Sequence, residues 1–187
     1  WYVDLEHIPC CSYLLAKSGY LIDQQCMGFA DRRARVALTD QAIFRIYSNT
    51  KLIVSVAAML LVERGKIALD RPISDIFSGF AELRVLRENA TAIDQTEALQ
   101  QPVTLRHLLS HTAGFSYGFI DPTTLIDKHY LKNGLNLLNP FKGDLQAFVT
   151  QVLEVPLAFQ PGTDWRYSVA TDIVGFIVEC ISGQPLD

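Results

Sequence analysis

The strongest pattern along the chain is the apolar run from Leu52 to Val62, interrupted only by Ser55. With its flanks it predicts a helix that opens at Ser48 and closes near Gly65. A helix apolar on every side is buried in a core or a bilayer, and this run is well short of the roughly 20 residues a bilayer needs. The expectation is therefore a central helix covered on all sides by protein. Ahead of it, residues 9–17 and 20–28 flank Ser18-Gly19 and read as two antiparallel strands around a two-residue turn. Ala30 to Ala42 reads as a charged connection.

Beyond Gly65 the pattern becomes helical and loop-rich. Leu69 to Phe77 reads as a short connection and helix start, and the polar stretch from Glu82 to Gln101 as an exposed excursion. Thr104 caps a predicted helix through Leu105, Leu108 and Leu109 that ends at Gly114, a residue suited to the left-handed stop position. Phe115 to Pro140 shows little period. Asp144 to Leu153 is amphipathic and stops before Pro156, and Thr171 to Ile181 is a further apolar helix closed by Gly183. Strands first and helices afterwards indicate an α+β arrangement. Two strands make a poor sheet alone, so further strands are expected beyond Asp187, and both chain ends read as cut.

Candidate chemistry sits where the apolar helix begins. Ser48 and Lys51 stand three apart, so their side chains share one helical face. A helix N-terminus ordinarily favours a carboxylate in this turn. A lysine there faces the positive end of the dipole and an apolar core, and both disfavour its ammonium form. An amine so placed suits a general base for a serine hydroxyl, which unaided is a weak nucleophile. A second cluster runs Pro161-Gly-Thr-Asp-Trp-Arg-Tyr-Ser-Val169, where a turn delivers aromatic and polar residues directly before a helix. Tyr167 within it could share the serine proton with Lys51, provided folding brings the two stretches together.

Three ordered blocks resemble the class C β-lactamase-like serine hydrolases, the family of class C β-lactamases, DD-peptidases, family VIII carboxylesterases and related transesterases. They are Phe44-Arg-Ile-Tyr-Ser-Asn-Thr-Lys51, Val103-Thr-Leu-Arg-His-Leu-Leu-Ser-His-Thr-Ala-Gly-Phe115, and Phe159 to Val169 with the following Asp172-Ile-Val-Gly. The resemblance implies an α/β sandwich lobe plus an all-helical lobe of the β-lactamase/transpeptidase type. Residues 1–64 would belong to the first, with the nucleophile helix, and 65–187 to the second. It implies Ser48 as nucleophile, Lys51 as its partner, Tyr167 as the shared acid/base, and an oxyanion hole using the Ser48 N–H and an N–H on a strand outside this chain. It requires no metal or cofactor. Tyr117, just past Gly114, would reach the pocket rim. Val169 stands where β-lactamase members carry an amide-bearing Asn; it can donate no hydrogen bond, which tilts the expectation toward esters. The C-terminal K-T-G-like block of the family is missing, so a chain that truly ended at Asp187 is expected to have a half-built site and little turnover. Lys17-Ser18-Gly19 resembles that triplet, but it precedes the nucleophile and reads as a hairpin turn.

Composition changes this picture little. The 187 residues are 49% hydrophobic and 19% charged with net charge −4, which supports a core and marks no basic nucleic-acid surface. No segment is long enough to span a membrane, and oligomeric state is open. Four cysteines do not make a disulfide scaffold at this length. If Ser18-Gly19 is the turn, Cys11 falls opposite Cys26, a separation slightly too wide for an unstrained bridge, so reduced thiols and a cytoplasmic compartment are favoured over a periplasmic one. His107 and His111 are spaced like helical metal ligands but lack the intervening glutamate of catalytic motifs, and no metal is expected. The partner expected is a small-molecule ester, with a β-lactam or D-Ala-D-Ala peptide as the alternative substrate and a non-catalytic binding protein as the alternative class.

Overall fold

In the computed structural model, which describes residues 2–135 and 141–186, the chain divides into Trp1–Tyr47 and Ser48–Asp187. The helix bearing Ser48 thus groups with the later helices, and the division falls at 47/48 rather than after residue 64.

The first unit is a three-stranded antiparallel sheet in the order β1 (Cys10–Lys17), β2 (Tyr20–Asp31), β3 (Val36–Ala37). Ser18 and Gly19 take φ of +51° and +82°, the left-handed pair of a two-residue hairpin turn. The register then slips between Leu15 and Ala16, because Ala16 faces Leu21 whereas Leu15 faces Asp23, leaving Ile22 as the extra residue. The slip moves Cys11 opposite Met27 and puts Ser12 opposite Cys26, with Ser12 Oγ and Cys26 Sγ 3.5 Å apart. The expected Cys11–Cys26 pairing is corrected by that bulge. Cys10, Cys11, Cys26 and Cys180 are all free thiols. β3 also lies inside the stretch expected to be a plain connection.

The second unit is built around α5 (Ala170–Ser182), against which α1 (Thr50–Glu63), α2 (Leu105–Leu109) and α4 (Leu145–Leu153) all pack. α5 buries Ala170, Thr171, Ile173, Val174, Gly175, Phe176 and Ile177. Of these, the side chains of Ile173, Val174, Phe176 and Ile177 each contribute about 1.5–3 kcal/mol when fully buried. At Gly175 a Cβ would meet Leu186 Cδ2 tightly at 3.0 Å, and Leu145 Cδ2 and Val54 Cγ1 at the ordinary contact distances of 3.4 and 3.9 Å. α5 ends where Gly183 takes φ of +70°.

α1 does not hold the central place expected of it. It buries only Val54 and Ala58, while Leu52 is 71% and Ile53 61% exposed, and Val56, Met59 and Leu60 are also exposed. One side of α1 meets α5; the opposite side carries equally apolar residues with no cover among the described ones. Hydropathy set the composition of this helix but not the number of its neighbours.

Three other expectations change. The polar excursion contains a hairpin, β4 (Arg84–Leu86) and β5 (Thr96–Ala98), anchored by the buried Val85 and by backbone bonds between Leu157 and the Arg84–Leu86 strand. α2 stops at Leu109 with Ser110 as its cap, so Gly114 is not its terminator. Gly114 instead takes φ of +92° where its backbone meets Phe159, and a Cβ there would lie 2.5 Å from the Phe159 carbonyl oxygen. The stretch read as aperiodic contains α3 (Leu125–Lys132), capped by the Thr124 hydroxyl; its residues 136–140 lie outside the described ones. Among the described residues, no helix is long and apolar enough to cross a membrane.

Candidate active site

Ser48 lies in a 3-10 turn over Tyr47–Asn49, and the α-helix proper begins at Thr50. Lys51 is therefore in its first turn, on the side from which Ser48 enters. The loop after α2 brings Tyr117 to this point, and the loop leading into α5 brings Tyr167. Chain order would not suggest the meeting, since Tyr167 follows Ser48 by 119 residues.

The Tyr167 hydroxyl donates to Ser48 Oγ at 2.9 Å. Lys51 Nζ donates to the Tyr117 hydroxyl at 2.8 Å, 5.4 Å from that ring's centroid, and lies over the Tyr167 ring, 5.2 Å from its centroid. A cation–π contact such as that with Tyr167 is worth about 0.5–2 kcal/mol. The two rings stand 5.5 Å apart. Tyr117 passes its own proton onward, donating to Asp172 Oδ2 at 3.3 Å. Ser48, Lys51 and Tyr167, the residues singled out as catalytic, are thus brought together, with the ammonium bonded to Tyr117.

Electrostatics keep the Tyr117 phenol protonated. Burial, then the charge of Asp172 and the neighbouring Tyr167, hold the Tyr117 phenol far above its ordinary range, so it stays protonated at neutral pH and works as a relay between ammonium and carboxylate. Burial also raises the Asp172 carboxyl, with the Lys51 charge opposing it. His111 packs its ring 4.9 Å from that of Tyr167, and burial followed by the Lys51 charge lowers its pKa, favouring the neutral imidazole.

Tyr117 and Val169 were expected to contact substrate. Tyr117 is instead buried with its hydroxyl engaged by Lys51 and Asp172. Val169 is 3% exposed and belongs to the core at the start of α5, where its side chain offers no surface to a ligand. Sequence reasoning gave no role to Asp172, although it lies in the first turn of α5 and five residues past Tyr167. The two histidines turn to different partners: His107 Nδ1 accepts from the Thr104 N–H in a capping box, and His111 Nδ1 meets Ser168 Oγ at 3.3 Å. Because α2 ends between them, the helical spacing that would suit a shared metal never forms. Among the described residues, no group of three or more His, Cys, Asp or Glu side chains is arranged to hold a metal ion.

A serine hydroxyl in contact with a phenol, next to an ammonium, at the mouth of a helix is an arrangement for activating a nucleophile. Comparison with known proteins identifies the family. The Beta-lactamase family model matches residues 2–187. The chain belongs to the beta-lactamase family. Within it, the chain is 33% identical over 174 residues to Esterase EstB of Burkholderia gladioli, covering 92% of this chain and 41% of that protein. It is 34% identical over 147 residues to a lovastatin esterase of Penicillium rubens, covering 77% of this chain and 35% of that one. Among solved structures it resembles EstCE1, described as a hydrolase with promiscuous acyltransferase activity, with a TM-score of 0.82 at 28% identity, covering 99% of this chain and 45% of that one. This beta-lactamase-family chain therefore spans less than half the length of the relatives it matches.

Proposed function

We propose that the protein is a serine hydrolase that cleaves carboxylic esters through an acyl-enzyme on Ser48. The observation that carries this reading is the 2.9 Å contact between the Tyr167 hydroxyl and Ser48 Oγ, with Lys51 over the Tyr167 ring. Ser48 Oγ attacks the ester carbonyl carbon as its proton passes to the Tyr167–Lys51 pair. The same pair returns that proton to the departing alcohol, and water or a second alcohol then releases the acyl group by the reverse sequence. In the reacting form Tyr167 has given up its phenol proton and stands as the phenolate beside the Lys51 ammonium, so its oxygen can take the Ser48 proton. Tyr117, fixed between Lys51 and Asp172, holds the ammonium in place.

Apolar surface beside the site supports esters of apolar acids. Phe119 stacks 5.0 Å from Tyr117, Trp165 stands 6.3 Å from His111, and both rings are substantially exposed. The esterase names of the relatives above favour the same class. β-Lactam or peptide cleavage is the second reading, supported by likeness to a penicillin binding protein from Bacillus halodurans with a TM-score of 0.65 and 25% identity.

A fluorophosphonate probe and short-chain nitrophenyl esters test the assignment. The expected result is covalent labelling and ester turnover in the wild-type protein, both lost in Ser48→Ala by about three orders of magnitude or more. Labelling or turnover that survives in Ser48→Ala overturns the reading. Rapid opening of a chromogenic cephalosporin with weak ester turnover would move the substrate class to β-lactams.

A further inference from the structure

Asp127 is the only charged side chain among the described residues that is fully buried, and the proton transfers above make no use of it. It lies on α3, away from the nucleophile helix in sequence, yet its partners lead to the site. Asp127 Oδ1 accepts from the Ser116 hydroxyl at 2.5 Å and from Arg166 Nη2 at 3.0 Å, while Oδ2 accepts from the Asp121 N–H at 2.6 Å. Arg166 also donates through Nε to Ser116 Oγ at 2.6 Å. Ser116 immediately precedes Tyr117, and Arg166 immediately precedes Tyr167. The main chain repeats the link: the Val169 N–H donates to the Ser116 carbonyl at 3.3 Å, and the Arg166 N–H to the His111 carbonyl at 2.9 Å.

We infer that Asp127, Arg166 and Ser116 form a positioning clasp that sets the phenols of Tyr117 and Tyr167 against Lys51 and Ser48. The inference rests on the ester-hydrolase reading for its kinetic consequence and on the geometry alone for its structural one. A buried ion pair is a poor source of stability, because desolvating both charges offsets most of their attraction. What the guanidinium offers is direction. Its planar fork reaches a hydroxyl through one nitrogen and a carboxylate through another, so both partners are fixed in a single plane. Ser116 and Arg166 are each one peptide unit from a tyrosine whose hydroxyl must lie within hydrogen-bond reach of its target, and Asp127 ties the two together. A displacement of about 1 Å at such groups costs on the order of a hundredfold in rate. None of the three side chains need touch substrate for this; they act through the two tyrosines.

Asp127→Asn keeps the shape and one acceptor oxygen, and Ser116→Ala removes the shared hydroxyl while leaving the ion pair intact. Both variants are to be compared with wild type by nitrophenyl ester kinetics and by fluorine NMR of protein labelled with 3-fluorotyrosine. The expected result is a fall in kcat of about tenfold or more with KM changed less than about twofold. The Tyr117 and Tyr167 resonances should shift, whereas those of Tyr13 and Tyr20 on the hairpin stay in place. Wild-type kcat with unmoved Tyr117 and Tyr167 resonances in a folded variant overturns the clasp, whatever the change in melting temperature. A KM rise at constant kcat overturns it as well. If Asp127→Asn does not fold, Ser116→Ala decides alone. Should the wild-type protein cleave no ester, the functional reading fails, and the NMR comparison still judges the positioning.

Discussion

Asp127 and Asp172 are two carboxylates enclosed by the same helical unit, and they are supplied very differently. Asp127 receives a hydroxyl, a main-chain N–H and a guanidinium, all within 3.0 Å. Asp172 receives the Tyr117 hydroxyl at 3.3 Å and the Lys51 charge from beyond it, and burial raises its carboxyl above the ordinary range. The fully supplied carboxylate holds its surroundings in one arrangement. The under-supplied one can change its protonation state, and it lies at the end of the chain Lys51–Tyr117–Asp172. Rigidity and the capacity to change charge thus fall to separate acids of the same unit.

The sharpest way to break this comparison is Asp127→Ala. It leaves the mostly enclosed Arg166 cation without its carboxylate, and a loss of about 3–5 kcal/mol is expected, read as a lower urea midpoint at unchanged slope. A loss below about 1 kcal/mol would show that the two acids are not so different. Asp172→Asn should act in the opposite sense. With its folded pKa raised, Asp172 releases its proton first in the unfolded chain. Wild-type stability therefore falls as pH rises from the ordinary aspartate value, about 3.9, through the raised one, and stays lower above it. The variant escapes this loss, so its melting temperature should exceed that of wild type at neutral pH and converge with it in acid. A neutral-pH melting temperature below wild type would contradict that. The smallest effect belongs to His111, whose pKa is lowered by burial and by Lys51. The unfolded chain takes up its proton first, so stability should decline as pH falls through the ordinary histidine value near 6.5. His111→Phe should flatten that decline in a melting series between about pH 5 and 8, and an unchanged slope would place the decline elsewhere.

The sequence makes some of this visible and hides the rest for identifiable reasons. Ser48 and Lys51 stand out because three residues of helix place both on one face. α4 and α5 stand out because each has one clear boundary, Asp144 accepting from the Ala147 N–H at the start of α4 and Gly183 at positive φ after the end of α5. α3 is hidden because its buried positions are Ile126, Asp127 and Tyr130, so an acid interrupts the apolar face. The β4–β5 pair is hidden because three-residue strands in a polar background carry almost no period. The hairpin register is hidden because a single extra residue, Ile22, leaves the composition of both strands unchanged. Tyr117 reads as a rim aromatic from its place after a glycine, whereas its role as partner to Lys51 depends on a fold that joins positions 66 residues apart. α1 reads as central because an apolar stripe reports what a helix would tolerate next to it, and the neighbours themselves are written elsewhere in the chain.

Gly114 shows how little freedom that arrangement leaves. Its carbonyl accepts from the Ala158 N–H at 2.7 Å, and its missing side chain lets the strand of chain before Ser116 lie flush against Leu157 and Phe159. Any bulkier residue would wedge this seam open upstream of both tyrosines. A substitution touching neither nucleophile nor phenol would then mimic an injury to the reaction itself, and an inventory of damaging mutations would wrongly count a spacer among the reagents.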